Sequence, residues 1–409
     1  MNTAQVLVEM LKEYQVKHIF GVPGDTTMPL YDALYTARDD IQHIMARDER
    51  SAAFMADAYA RLTHKPGVTE APSGGGATYV VPGVAEAHGS SVPLIVLTSD
   101  VPVTDEGKGT LTAIDQQRLL EAATKWSIVV KRPSMLPDAI RKAFRVATSG
   151  RGGAAHIVLP EDVLEELCPA PAIYAEAACR SYPSYRTQAP VSSLEAICDA
   201  LLAARRPMIV AGGGTVLSGA WNELTQLAET LHIPVATTIN GKGSINEMHA
   251  WSVGVIGGNG GRPYANQLLS EADCILYLGS KVNSLVTLKG SVPDPRNNVT
   301  PLQIDADPGE LGNNVPMASA ACGDIKESLA ALLKLVAARV SSAPDREWTM
   351  QTLAQPADIF WSAVARQATC NDVPLSPQRV IEELWQHTPD DVVVVADPGT
   401  MTPFTAAQF

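Results

Sequence analysis

The chain has 409 residues, 46% of them hydrophobic, with a formal net charge of −13 at pH 7. That length accommodates two to three domains with generous cores. The acidic balance argues against nucleic-acid binding, which calls for a basic patch, and no apolar run is long enough to span a membrane.

The first predicted element is an amphipathic helix carrying Val6, Leu7, Met10, Leu11 and Tyr14, with no signal peptide visible ahead of it. An apolar segment then runs into Phe20-Gly21-Val22-Pro23-Gly24-Asp25, followed by Leu30-Tyr31-Asp32-Ala33-Leu34. Met45 to Arg61 predicts a helix with Glu49 at its mouth and Ala52, Ala53, Ala56 and Ala60 at near-helical spacing. Alanine on most faces lets backbones approach closely, so the helix is expected to be buried rather than a surface amphipath. A carboxylate there needs a reason, since burying an unpaired charge is costly; compensation of the helix dipole is one. Asp48 reads as a surface or N-cap residue. Lys65-Pro66-Gly67-Val68 leads to Ser73-Gly74-Gly75-Gly76-Ala77-Thr78, and Pro93 to Thr98 reads as a buried strand.

This order of motifs resembles the N-terminal pyrimidine-binding domain of thiamine-diphosphate enzymes, the superfamily of acetolactate synthase, benzoylformate decarboxylase and pyruvate decarboxylase. Its pattern is G-V-P-G, R-H-E-x-x-A-x-x-M-A-x-x-Y-A-R, G-K-P-G-V and S-G-P-G-A-T, matched here by 21–24, 47–61, 65–68 and 73–78. The resemblance implies that Glu49 is the carboxyl group that hydrogen-bonds the cofactor's pyrimidine and drives its tautomerisation, a task favoured by desolvation. It also implies that Pro23, Gly24, Ser73, Gly74, Gly75 and Gly76 bind the cofactor, the glycines by letting backbone approach the ring. Asp25 matches the decarboxylase form G-V-P-G-D and is expected to assist proton transfer. Tyr79, His88 and Thr112 are candidates for the substrate side, with an interior or surface role also open for His88. The chain departs from the pattern where His becomes Asp48, Pro becomes Gly75 and Asn becomes Tyr79. No His-His pair follows Thr98, and Thr112 stands at the synthase glutamine ahead of Asp115, so substrate choice stays open.

His156 to Val163 predicts the closing strand and turn of a first domain, 1–167. Residues 168–190 hold four prolines and little periodicity and predict a linker. Segments at Met208-Ile209-Val210-Ala211, Ile233 to Thr237, Cys274 to Gly279 and Leu302 to Asp305 alternate with helical stretches, predicting a second doubly wound parallel sheet in 191–340. The dinucleotide pattern G-x-G-x-x-G fails there, because Leu217 follows Gly212 and Gly214 at its third position. By resemblance this is the central Rossmann-like domain, in which some relatives bind FAD and one branch ADP; FAD is open but not indicated by Lys281-Val282-Asn283-Ser284-Leu285. A nucleotide-binding role for this domain without thiamine diphosphate is a third, weaker reading. The cysteines at 168, 179, 198, 274, 322 and 370 form no metal-ligand spacing and are read as reduced thiols of a cytoplasmic protein.

After a second linker at 341–374, residues 375–409 repeat the opening unit. Ser376 to Leu384, Val392 to Val395 and Asp397-Pro398-Gly399 parallel Thr3 to Leu11, His18 to Val22 and Pro23-Gly24-Asp25, with Gln-to-Pro spacings of 20 and 18 residues. This predicts the start of a third, diphosphate-binding domain, whose completion needs about a hundred or more further residues. No G-D-G, the family's Mg²⁺ loop, occurs in the sequence, so the Mg²⁺ ligands are expected beyond Phe409. The fold expected is α/β: two doubly wound parallel-sheet domains plus the start of a third. The function expected is a thiamine-diphosphate-dependent decarboxylase or carboligase acting on a 2-oxo acid as a homodimer or homotetramer. The alternative is a non-catalytic or split-gene subunit that needs a partner carrying the diphosphate and Mg²⁺ domain.

Overall fold

The computed structural model of the chain describes residues 1–409 except Pro295 and Asp390. The chain divides into two compact units, Met1–Tyr185 and Arg186–Phe409.

The first unit contains strands β1 (His18–Gly21), β2 (Gln42–Met45), β3 (Gly67–Ala71), β4 (Leu94–Asp100), β5 (Trp126–Val129) and β6 (Ala154–Pro160). They form one parallel sheet in the order β2-β1-β3-β4-β6-β5. Its helices are α1 (Thr3–Glu13), α2 (Met28–Thr36), α3 (Glu49–Thr63), α4 (Gly75–Tyr79), α5 (Val81–Gly89), α6 (Gln116–Glu121), α7 (Leu136–Thr148) and α8 (Glu161–Glu165). The sheet is covered on both faces, which is why β4 and β6 read as nearly continuous apolar runs. One face packs against Leu7, Met10, Leu30 and Phe144 from α1, α2 and α7. The other packs against the alanines of α3 and against Val84 and Ala87 of α5.

Only part of α3 is buried, contrary to the expectation from its alanine content. Ala52, Ala53, Ala56 and Ala60 are fully covered, whereas Phe54 and Met55 are 44% and 41% exposed. The small residues serve close approach on one face. A Cβ on Gly67 would lie 2.1 Å from the Ala56 carbonyl oxygen, and one on Gly83 2.5 Å from Ala53 Cβ. No second layer covers the opposite face within the unit.

Because β1 lies between β2 and β3, the sheet reverses its direction of winding there. The turns leaving the carboxyl ends of β1 and β3 therefore border a crevice, the usual ligand position in open α/β sheets. Those turns hold the Gly21–Gly24 and Ser73–Gly76 segments.

The second unit contains β7 (Pro207–Ala211), β8 (Val235–Thr237), β9 (Ser252–Val255), β10 (Cys274–Leu278), β11 (Thr300–Asp305) and β12 (Ser319–Cys322). They form a parallel sheet in the order β12-β11-β10-β7-β8-β9. Helices α9 (Val191–Ala203), α10 (Gly213–Ser218), α11 (Trp221–Leu231), α12 (Pro263–Glu271), α13 (Ile325–Arg339), α14 (Met350–Ala368), α15 (Pro377–His387) and α16 (Met401–Gln408) complete it. The glycines after β7 and β10 pack on each other: a Cβ on Gly214 would lie 2.8 Å from Gly279 Cα.

The strand expected at Val392 to Val395 is not formed. The segment joins neither sheet, and Val393 and Val395 are 72% and 90% exposed. Helix propensity at 377–387 is satisfied locally, but an isolated strand gains no ladder partners, and its apolar pattern alone cannot hold it. The last helix, α16, belongs to the second unit, where Arg262 Nε donates to the Ala407 carbonyl at 2.9 Å.

Candidate active site

Glu49 opens α3, and its entry is fixed by Asp48, the N-cap residue, whose Oδ1 accepts from the Arg50 amide at 2.8 Å. The neighbouring acid thus has a local structural task, as the sequence suggests. Glu49 itself is half-buried. Its Oε1 lies 3.1 Å from where a Cβ on Gly76 would stand, so carboxyl group and glycine backbone share one small space. Among the described residues, no protein donor is bonded to this carboxylate. An acidic group at a helix N-terminus gains from the dipole, yet one left free of donors has its lone pairs available for something else.

The glycines are there for room. A Cβ on Gly24 would approach Pro72 Cβ to 2.4 Å, and one on Gly76 would meet Pro72 Cδ at 2.5 Å. Gly74 has φ +64°, a left-handed conformation that side chains disfavour, and its Cβ position lies 2.7 Å from Thr112 Cβ. Gly75 faces more open space, with Tyr79 Cε2 nearest at 3.9 Å. Tyr79 is 55% exposed at the end of α4. Pro23 and Asp25 are exposed at the β1 turn. Burial, then the charges of Glu165 and Asp25, push the Glu161 carboxyl up.

A chain of hydroxyls ties the loops together. Thr26 Oγ1 lies 2.6 Å from Ser99 Oγ and 3.2 Å from Ser73 Oγ, and it accepts from the Ser73 amide at 3.1 Å. Ser73 Oγ lies 2.8 Å from Thr112 Oγ1. Gln116 Nε2 donates to the Ser99 carbonyl at 2.8 Å, while its buried Oε1 has no protein partner. The turns after β1 and β3, the end of β4 and the loop carrying Thr112 are therefore one hydrogen-bonded frame. Sequence reasoning found Ser73 and Thr112 but missed Thr26, Ser99 and Gln116. Their only local signal is position, since Thr26 follows the Pro-Gly-Asp turn and Ser99 ends a buried strand.

His88 is not brought to this frame. It sits near the end of α5, 3.2 Å from the Cβ position of Gly153, whose carbonyl accepts from the Leu94 amide at the opposite, amino end of β4.

A second feature escaped the sequence entirely. Glu70, on β3, is wholly buried. It accepts a short hydrogen bond from the Tyr31 hydroxyl on α2 and lies 3.5 Å from His43 Nε2 on β2, while Tyr31 and His43 are 2.9 Å apart. Burial pushes the Glu70 carboxyl up, opposed by His43 and Tyr31 and reinforced by the charge of Glu49.

Comparison with known proteins agrees with these motifs. Residues 1–119 match the family described as thiamine pyrophosphate enzyme, N-terminal TPP binding domain. Residues 194–332 match thiamine pyrophosphate enzyme, central domain. The chain is 34% identical over 413 residues to the probable acetolactate synthase large subunit of Methanococcus aeolicus, covering 98% of this chain and 67% of that protein. It is 35% identical over 397 residues to the same-named protein of Methanocaldococcus jannaschii, covering 94% and 64%. With the acetolactate synthase isozyme 3 large subunit of Escherichia coli it shares 31% identity over 416 residues, covering 100% and 70%. The chain thus spans about two thirds of the length of these curated relatives. By its motifs, its two parallel sheets and this similarity, the chain belongs to the thiamine pyrophosphate enzyme family, alongside acetolactate synthase large subunits.

Proposed function

We propose that this chain supplies the pyrimidine-binding half of a thiamine-diphosphate-dependent decarboxylase or carboligase for a small 2-oxo acid. The observation that carries the reading is the Glu49 carboxylate, half-buried at the start of α3, beside Gly76 and without a protein donor. The residues fit the pyrimidine end of the cofactor, because Gly76 leaves backbone rather than a side chain facing the Glu49 carboxylate, and Gly74 and Gly75 continue that turn without side chains.

When bound, thiamine diphosphate supplies the electron sink that lets a 2-oxo acid lose carbon dioxide. The chain's own work is binding and orientation. Glu49 holds or releases a proton at its carboxyl oxygen toward the pyrimidine ring. Ser73, fixed by Thr26 and Thr112, holds the glycine turn at one height above the sheet. Asp25 and Tyr79 border the crevice where substrate enters. Residues 1–167 form the pyrimidine-binding domain in this assignment, 191–340 the central domain, and the protein works as a homodimer or homotetramer. FAD in the central domain is not part of the reading, since nothing at Lys281 to Leu285 argues for it.

Thiamine-dependent carbon dioxide release from a panel of 2-oxo acids, with wild type and Glu49→Gln, tests this reading. Loss of turnover in the variant at retained folding is expected; equal turnover overturns the role of Glu49.

A further inference from the structure

Glu70 stands on β3 opposite Gly21 of β1, and the next strand outward is β2, carrying His43. A side chain at position 21 would block the path between them: a Cβ there would lie 1.8 Å from Glu70 Oε1, 2.4 Å from Cδ and 2.6 Å from Cγ. The glycine that opens the Gly-Val-Pro-Gly turn is thus the slot through which a buried carboxyl reaches across one strand to the next. There it meets Tyr31 and His43, and its other oxygen, Oε2, is fully buried with no partner. The carbonyl of the same Gly21 accepts from the Ala46 amide at 2.9 Å, in the segment that leads into Glu49. The cluster and the candidate catalytic carboxylate are therefore built on one stretch of backbone, and the charge of Glu49 acts on both Glu70 and Tyr31.

A carboxylate at Glu70 would be a buried negative charge with one oxygen unsatisfied, which is costly. A neutral acid with its proton on Oε1, between Tyr31 and His43, removes the buried charge and leaves only a carbonyl oxygen, Oε2, unpaired, which costs less. We propose that Glu70 carries a proton at neutral pH and is a positioning residue for Glu49: as a neutral acid it holds, through His43 and Gly21, the end of β2 that leads into Glu49, and its ionisation at higher pH sets a buried negative charge behind that segment and slows the cofactor-dependent reaction. The groups that act on Glu70 are Tyr31 from α2, His43 from β2 and Glu49 from α3. Of these only His43 offers a positive charge, and then only when protonated. The reaction half of this inference rests on the function proposed above, whereas the protonation half does not.

The experiment has two arms. In the first, carbon-13 NMR of side-chain carboxyl-labelled glutamate, assigned with Glu70→Gln, follows Glu70 against pH without any cofactor. Glu70 is expected to remain protonated at pH 7 and to ionise at lower pH in Glu49→Gln, because like charges oppose one another's ionisation. A Glu70 ionised at pH 7, or a titration unmoved by Glu49→Gln, overturns the proposal. In the second arm, the alkaline limb of thiamine-dependent turnover is compared between wild type and Glu70→Gln. The limb is expected to move up by about one pH unit or more; a limb left in place overturns the positioning role. A wild-type chain that ignores thiamine diphosphate yet gives both NMR results supports the coupling and overturns the functional reading alone. Should Glu70→Gln fold poorly, Tyr31→Phe replaces it, with the Glu70 titration expected at still higher pH because a hydrogen bond to the ionised form is gone. An unchanged titration in Tyr31→Phe counts against the cluster.

Discussion

Gly21→Ala is the sharpest test of the buried cluster, because its consequence depends on one other residue. The three atoms nearest a Cβ at this position all belong to the Glu70 side chain, starting with Oε1 at 1.8 Å. The strand backbone itself tolerates alanine, so the methyl group acts by expelling the carboxyl group from Tyr31 and His43. Two interactions are lost at about 1 kcal/mol each, and the displaced buried carboxyl left without partners adds about 1–3 kcal/mol. The single substitution is therefore expected to destabilise the protein by about 3–5 kcal/mol. In a Glu70→Ala background the obstacle is absent. Alanine is there expected to be neutral or to stabilise by about 0.5–1 kcal/mol, since glycine within a strand carries an entropic penalty. Urea denaturation of wild type, both single variants and the double variant gives the coupling energy directly. A Gly21→Ala cost that is the same in both backgrounds, within about 0.5 kcal/mol, refutes the slot.

Thr26→Val removes the central hydroxyl of the chain that joins Ser99, Ser73 and Thr112, and is expected to cost about 1–3 kcal/mol in thermal or urea unfolding. It is also expected to loosen the glycine turn, seen as faster amide exchange at Ser73 and Gly74. Gly67→Ala drives a methyl to 2.1 Å from the Ala56 carbonyl oxygen, a backbone atom that cannot swing aside. It is expected to destabilise by about 1–3 kcal/mol or more, with a Tm unchanged from wild type as the opposing result. His156 is buried between Thr98 and Ser127, 2.8 Å from each hydroxyl, and burial pushes its imidazole down from 6.5 to about 3. The unfolded chain then binds a proton that the folded chain refuses. Stability is expected to be full above pH 6.5 and to fall by about 1.4 kcal/mol per pH unit as pH drops toward 3. His156→Gln should flatten that part of the profile, and an equal slope in the variant counts against the assignment.

The fold class and the glycine turns were legible because each is written in consecutive residues. Pro23-Gly24, Ser73 to Gly76 and the start of the Glu49 helix each carry their own turn or cap chemistry, and apolar runs such as Leu94 to Leu97 announce strands buried on both faces. The hydroxyl frame and the Glu70 cluster were not legible, since they arise from register across the sheet. Nothing near Glu70 in sequence says that the strand beside it presents a glycine, or that Tyr31 and His43 lie on the same face. Two expectations failed for the same physical reason: local pattern does not specify what packs against it. The alanines of α3 bury one face only, because Phe54 and Met55 meet no covering layer. The valines at 392–395 read as a strand, yet a strand requires a neighbour to complete its ladder, and among the described residues they have none.

The role of Glu49 is tested most directly by the exchange of the cofactor's C2 proton for deuterium, followed by proton NMR on enzyme-bound thiamine diphosphate with Mg²⁺. Removing a proton-handling group from such a site slows proton transfer by about 10²–10⁴-fold. A loss of that order is expected for Glu49→Gln, with cofactor still bound by calorimetric titration. Wild-type exchange speed in the bound variant would contradict it.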